Sequence, residues 1–253
     1  MIAVDIGNTN TSFGWFKSGK LIKEIKIPSP KLTPAIISKT IKKGTNEAVW
    51  LCSVVPSLTK LFSCLGKRVC IVGKDIKVPI HSLYDKKKVG SDRLVAAFAA
   101  TRIYSRVRFV LDFGTAITLD FLSKKGSYQG GIILAGIGAT QKALSACALL
   151  PKTTKILKKT KIIPRNTEES ISKGIVEGFS LMVNGLIAKY RKKLKIRPNE
   201  TIVITGGEGL AILKELNFAY KYEPQLVLKG LNILSGHTKW RIPPVFLIQP
   251  LKK

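Results

Sequence analysis

The alternation of apolar and polar positions divides the chain into short strand-like runs with a few helical stretches between them. Residues 2–6, 11–17 and 20–27 predict three strands, with Ser18-Gly19 as a tight turn. The first run, Ile2-Ala3-Val4, is continuously apolar, as in a strand buried on both faces. "KLIKEIKI" alternates, as in a strand with one wet face. Pro28 and Pro30 end this meander. A helical pattern near 32–43 follows, then a strand in "AVWLCSVV", a short helix from Pro56-Ser57, and a strand in "RVCIVG". Beyond a lysine-rich loop, "GSDRLVAAFAATRIY" predicts a helix with Leu94, Val95, Phe98 and Ile103 on one face.

The opening pattern then returns. "VLDFGTAITLDFLSKKGSYQGGIIL" predicts a strand ending in Asp112, a Gly114-Thr115 turn, a second strand, a Lys-Lys-Gly turn and a third strand. Val4-Asp5-Ile6-Gly7 matches Leu111-Asp112-Phe113-Gly114, so Asp-x-Gly recurs 107 residues later with a β-meander after each copy. The second half continues with a helix near 138–149, a basic linker, and a long helical segment at 167–195. Ile171, Ile175, Phe179, Met182, Leu186 and Tyr190 form its core-facing stripe, with Asn166 as cap and Glu169 as the reciprocal capping-box residue. "TIVITGGEGLAILKEL" predicts a strand, a Gly206-Gly207 turn and a helix whose N-terminus would favour an anion. The repeat implies an internal duplication with halves 1–106 and 107–253. Facing halves would set Asp5 and Asp112 at strand ends on opposite walls of one cleft, where ligands bind in such sheets.

Composition narrows the class. The 45% hydrophobic fraction is that of a globular protein. No continuous apolar run reaches the roughly 18 residues of a membrane span, and Asp5 and Asn8 interrupt any signal-peptide pattern. The expectation is a soluble cytoplasmic protein. Cys52, Cys64, Cys70 and Cys147 show no C-x-x-C spacing, and Cys52 and Cys70 lie in apolar runs, so reduced buried thiols are expected. His81 and His237 have no neighbouring His or Cys to complete a zinc site. The net charge of +28 admits nucleic-acid binding. Lysine outnumbers arginine 34 to 9, however, and the lysines are spread over 86–88, 152–161, 189–195 and 252–253 without interleaved aromatics. That pattern suits a solvated surface better than a base-reading face.

The series Gly7-Asn8-Thr9-Asn10-Thr11 after Asp5 carries more hydroxyls, amides and backbone N–H groups than a hairpin requires. It fits a phosphate chain with its metal, or a strand end with Asx turns. With these parts assembled, the chain resembles the type III pantothenate kinases of the acetate kinase, sugar kinase, Hsp70 and actin superfamily. The resemblance rests on "DIGNTNT" at 5–11, "SVVP" at 53–56, "GSDR" at 90–93, "DFGTAIT" at 112–118, "GGIILAG" at 130–136, "NTEESISKG" at 166–174 and "TGGEG" at 205–209. It implies an α/β, duplicated actin-like (ribonuclease H-like) fold, two similar halves around an ATP cleft. The implied reaction is ATP-dependent phosphorylation of pantothenate, the first step of coenzyme A synthesis. The alternatives are another small-molecule kinase of the superfamily or a DNA-associated transcriptional accessory protein.

Carried onto this sequence, the resemblance makes Asp5, Ile6, Gly7, Asn8, Thr9, Asn10, Thr11 and Ser12 the ATP phosphate loop, with Thr115 a further nucleotide contact. Asp92 matches the catalytic base; Tyr84, Gly90, Ser91, Arg93 and Thr167 match pantothenate contacts. Asp112 matches the residue holding a monovalent cation, potassium or ammonium, while Mg²⁺ accompanies ATP. A homodimer is implied, with Thr167 shared across its interface and Val183, Ile187 and Gly185 offered to a twin helix. No specific nucleic acid and no membrane are expected as partners. Ser91 and Ala135 depart from the commoner Ala and Pro, and the loop from Tyr84 to Gly90 is about one residue short. Each site residue also has a plainer reading. Asp92 could cap its helix, in either case ionised by the helix N-terminus. Arg93 could pair with a surface acid rather than the pantothenate carboxylate. Asp5 and Asp112 could be turn residues, Thr167 the start of a capped helix, and Gly130-Gly131 a site of tight strand packing.

Overall fold

A computed structural model describes residues 1–41, 47–147, 156–157 and 161–237. The lysines at 252–253, and all of 152–161 except 156, 157 and 161, lie outside the described residues. Two compact units emerge, Met1–Val78 joined by the chain from Val227, and Pro79–Leu226. These packing units differ from the motif halves 1–106 and 107–253.

In the first unit, β1 (Ile2–Ile6), β2 (Asn10–Lys17) and β3 (Lys20–Pro28) form the expected meander. Ser18 and Gly19 both take positive φ (49° and 76°), the geometry that lets a two-residue turn match strand twist. α1 (Pro34–Ile41), β4 (Val49–Ser53), α2 (Pro56–Leu61) and β5 (Val69–Ile71) follow. Thr33 Oγ1 accepts from the Ile36 amide at the start of α1, and Pro56 sits in the first turn of α2, where its missing N–H costs nothing. The sheet order is β3-β2-β1-β4-β5, antiparallel within the meander and parallel from β1 to β5. Ile2, Val4, Ile6, Phe13, Ile37, Leu51 and Phe62 form its core.

The second unit opens with α3 (Ser91–Ile103). It does not present one apolar face: Leu94 to Phe98, Ala99 and Ala100 are all buried, so the helix is enclosed on every side. The small alanines, Ala96, Ala97, Ala99 and Ala100, allow that enclosure. β6 (Val107–Phe113), β7 (Ala116–Leu122) and β8 (Tyr128–Ala135) form the second meander, followed by α4 (Ile137–Ser145), α5 (Thr167–Lys193), β9 (Thr201–Thr205) and β10 (Lys221–Tyr222). The sheet runs β10-β9-β6-β7-β8. Read from its other edge, this is the same third-second-first-fourth-fifth order as the first sheet, with the same parallel and antiparallel pairings. The duplication seen as Asp-x-Gly is therefore a duplication of sheet topology.

α6 (Leu226–His237) packs with the first unit, where Leu228 lies against Gly14 of β2 and Asn232 donates to Gly19 O. Two expectations need correction. No α-helix follows Gly206-Gly207; Glu208–Ala211 and Leu213–Glu215 are single 3₁₀ turns. And α5 is long and apolar enough, by length and composition, to cross a membrane, at a mean hydropathy of 1.2. Ile175, Val183 and Ile187 are instead buried in the second core, and a Lys173–Glu177 ion pair of 2.7 Å interrupts the apolar run. Val183 and Ile187 are thus core residues and cannot face a twin helix. The side of α5 left open carries Gly174, Gly178, Leu181 and Gly185.

Cys52 and Cys70 are buried thiols, and burial pushes Cys70 up to about 12; Cys64 and Cys147 are exposed thiols.

Candidate active site

In the first unit, Asp5 is the one half-open position of an otherwise buried strand. Register sets it between Ser12 on β2 and Cys52 on β4. The turn Gly7-Asn8-Thr9 closes with Gly7 N donating to Asn10 O at 3.0 Å. Asn8, Thr9 and Asn10 are exposed, while Ile6 and Thr11 are buried. The Thr11 hydroxyl lies 3.0 Å from Ser29 Oγ, which donates to Gly7 O at 2.6 Å. Thr11 therefore braces the loop from behind, and the tip presents amides and one hydroxyl.

The second unit repeats the device. Asp112 is the half-open position of β6, flanked in register by Thr118 and Thr205. Its turn, Gly114-Thr115, closes with Gly114 N donating to Ala116 O at 3.2 Å. Thr115 is exposed, and its carbonyl accepts from Gly136 N at the start of α4. Gly206 has φ of +84°, and a side chain there would run into Asp112 Oδ1 and Phe113 O. Burial first, then the charges of Asp92, Asp120 and Glu208, push Asp112 up to about 7. Glu208 Oε2 accepts from Gly138 N at 3.1 Å, so the TGGEG loop supplies the anion at the α4 N-terminus.

Asp92 lies in the first turn of α3, but Gly90 is the N-cap and makes no side-chain cap. Asp92 Oδ1 instead accepts from Arg93 N at 2.8 Å. Burial raises its carboxyl above the ordinary range, opposed by Arg93 and reinforced by Asp120. That reverses the expected lowering by the helix N-terminus: desolvation outweighs the dipole here. Arg93 pairs not with a surface acid but with buried Asp120, through Nη2 at 2.5 Å and Nε at 3.0 Å. Asp120 also accepts from Tyr128 Oη at 2.7 Å.

Tyr84 is 46% exposed and lies beside Gly130 of β8. The segment reaching it is held by Tyr128 N donating to His81 O and Leu83 N donating to Tyr128 O. The segment carrying Tyr84 is thus held by Tyr128, and Arg93 by Asp120, on the β7–β8 strand pair, while Asp112 stands on β6 opposite Thr118. Thr167 stands elsewhere in this unit. It lines a cavity of about 640 Å³ with Thr140, Leu144, Arg165, Ile171 and Phe179, at the first turn of α5. Asn166 Oδ1 accepts from Glu169 N at 2.9 Å, but the reciprocal half of the capping box is not made, and Glu169 Oε2 is buried without a partner among the described residues.

Sequence reasoning missed Asp120, Tyr128 and Glu208. A signal was present for the first: a carboxylate interrupting the apolar run "TLDFL" is the same anomaly that marked Asp5.

The doubled sheet, with an aspartate one residue before the end of the first strand of each copy, is the actin-like fold. A solved structure of this class, the ROK family glucokinase of Streptomyces griseus, superposes with a TM-score of 0.55 at 13% identity, covering 94% of this chain and 99% of its own. A Campylobacter jejuni protein described as a Baf family transcriptional activator superposes at 0.64 with 21% identity, covering 94% and 98%. Within the class, the family model for type III pantothenate kinase matches residues 1–189. The type III pantothenate kinase of Persephonella marina is 35% identical, over 94% of this chain and 99% of its own. The chain belongs to the type III pantothenate kinase family.

Proposed function

We infer that this chain transfers the γ-phosphoryl group of ATP to the primary hydroxyl of pantothenate, giving 4'-phosphopantothenate in the first step of coenzyme A biosynthesis. The observation that carries the mechanism is Asp92, a half-buried carboxylate in the first turn of α3 that accepts from the Arg93 amide and adjoins a clamped arginine. In phosphoryl transfer the protein supplies positioning and charge neutralisation more than covalent chemistry. Asp92 accepts the hydroxyl proton as the oxygen attacks the γ-phosphorus and ADP departs. Burial raises its pKa, and a raised pKa makes the deprotonated carboxylate a stronger proton acceptor.

The exposed tip Asn8, Thr9 and Asn10, with Gly7 and Ser12, contacts the ATP phosphates; Ile6 and Thr11 shape that loop from inside, and Asp5 orients Mg²⁺. Thr115 contacts the nucleotide. Tyr84, Gly90, Ser91 and Arg93 surround pantothenate, and Thr167 joins them from a second subunit of a homodimer. The motif halves 1–106 and 107–253 are the duplicated units. The enzyme acts in the cytoplasm without a specific nucleic-acid partner.

Asp112 suits a monovalent cation. The charges of Asp92, Asp120 and Glu208 press on it, and a side chain at position 206 would run into its Oδ1. Such an ion would supply positive charge beside the transferring phosphoryl group.

The test is Asp92→Asn. The amide preserves shape but cannot take the proton, so turnover should fall about 10²–10⁴-fold with ATP binding retained. Near wild-type turnover would remove Asp92 from the base role.

A further inference from the structure

The Arg93–Asp120 pair is assembled from three elements. Asp120 stands on β7 and is 1% exposed. Its carboxylate receives Nε and Nη2 of Arg93 from α3, the hydroxyl of Tyr128 from β8, and the Thr118 hydroxyl at 3.5 Å. The guanidinium also lies 5.9 Å over the Tyr128 ring. Gly131, directly opposite Asp120 in the β7–β8 register, has no room for a side chain: a Cβ would run into Asp120 Oδ1 and lie 2.6 Å from Arg93 Nη2. The tight packing expected at Gly130-Gly131 is therefore space kept for this clamp. Two of the three guanidinium nitrogens are taken, and Nη1 has no protein partner among the described residues. A buried ion pair adds little net stability compared with apolar packing, so stability alone is a weak reason for it.

We propose that Asp120 is a positioning residue for the kinase reaction: by clamping Arg93 it fixes the first turn of α3, with the Asp92 carboxylate, and aims Arg93 Nη1 at the substrate. Tyr128 locks Asp120 in the orientation the clamp needs. The inference rests on the roles given above to Asp92 and Arg93.

The test compares wild type, Asp120→Asn, Tyr128→Phe, Arg93→Gln and the Asp120→Asn/Arg93→Gln double variant, each checked for folding by circular dichroism. Asp120→Asn should lower kcat/KM for pantothenate about tenfold or more, while KM for ATP stays within about twofold. Tyr128→Phe should move the same parameter by a smaller factor. The double variant should be no worse than Arg93→Gln, because Asp120 acts through that side chain. A residue that only supports the fold would depress both substrates' parameters alike and add to Arg93→Gln; either result overturns the proposal. If Asp120→Asn fails to fold, Tyr128→Phe decides alone, and an unchanged kcat/KM for pantothenate in folded Tyr128→Phe overturns it. An effect of Arg93→Gln with none of Asp120→Asn removes only the positioning role. No effect of Arg93→Gln removes the substrate-contact reading together with it.

Discussion

Asp112→Asn should stabilise the ligand-free protein while abolishing its activity. The carboxyl is pushed from an ordinary 3.8 to about 7 by burial and by Asp92, Asp120 and Glu208, so its ionised form is unwelcome in the folded chain. The unfolded chain holds the same group near its ordinary value. Between about pH 4 and pH 7 the folded state therefore binds more protons, and stability falls as pH rises. The penalty is absent below that window and complete above it. At 1.36 kcal/mol per pKa unit the full cost is on the order of 4 kcal/mol, and solvent screening of a half-open group reduces it to about 1–3 kcal/mol. For a chain of this size that is a rise in Tm of roughly 2–12 °C for Asp112→Asn at pH 8, shrinking towards zero at pH 4. The assay is differential scanning fluorimetry across that range in choline buffer. Added potassium should close the gap from the wild-type side and leave Asp112→Asn unmoved, because a bound cation relieves the same repulsion. A variant that melts at or below wild type at pH 8, or a difference that does not change with pH, would refute the reasoning.

Four further outcomes follow from other parts of the molecule. Activity should fall on the acid side at a pH above the ordinary carboxylate range, since Asp92 is raised and must be deprotonated; a pH–rate profile checks this, and its acid limb should vanish in Asp92→Asn. Gly131→Ala should cost about 1–3 kcal/mol in urea unfolding and weaken pantothenate use, because the new methyl displaces Arg93 or Asp120. Glu200→Ala should cost roughly 3 kcal/mol by stranding Arg108, which is 7% exposed and pairs with Glu200 at 2.8 Å. Because Arg108 and neighbours hold Glu200 below its usual pKa, that stability is present at neutral pH and is lost as pH falls through the lowered value. Asp92→Asn and Thr167→Arg, each inactive alone, should partly restore activity when refolded together, as one site of a mixed dimer then carries neither lesion; demonstrated mixed dimers without activity would confine the site to one chain.

The duplication was legible because buried strands are written as apolar runs and a carboxylate breaking such a run is conspicuous. Val4-Asp5-Ile6-Gly7 and Leu111-Asp112-Phe113-Gly114 marked the two hairpins, and sheet order repeated as the motif did. Periodicity failed where burial is not one-sided. α3 is enclosed, so its alanines carry no amphipathic signal, and α5 buries Val183 and Ile187 while leaving glycines outside. The Gly206-Gly207 stretch reads as strand, turn and helix, but Glu208 is drawn to the α4 N-terminus and the chain turns in 3₁₀ steps instead. Register was the other gap. Nothing local in "TLDFL" or "GSYQGG" says that Asp120 meets Tyr128 and Arg93; that needs strand pairing and a helix returned onto the sheet. The direction of the Asp92 pKa was misjudged for the same reason, because desolvation is a property of packing and the helix dipole is a property of sequence.

The most direct test of the central claim is the identity of the phosphorylated product. Purified protein is incubated with ATP, Mg²⁺ and potassium and with equal concentrations of pantothenate, glucose and acetate, and the products are resolved by mass spectrometry. A pantothenate kinase yields ADP and 4'-phosphopantothenate in equal amounts, no sugar or acetyl phosphate, and loses the product with Asp92→Asn. ADP release that is indifferent to pantothenate, or a phosphorylated sugar in its place, would contradict that claim.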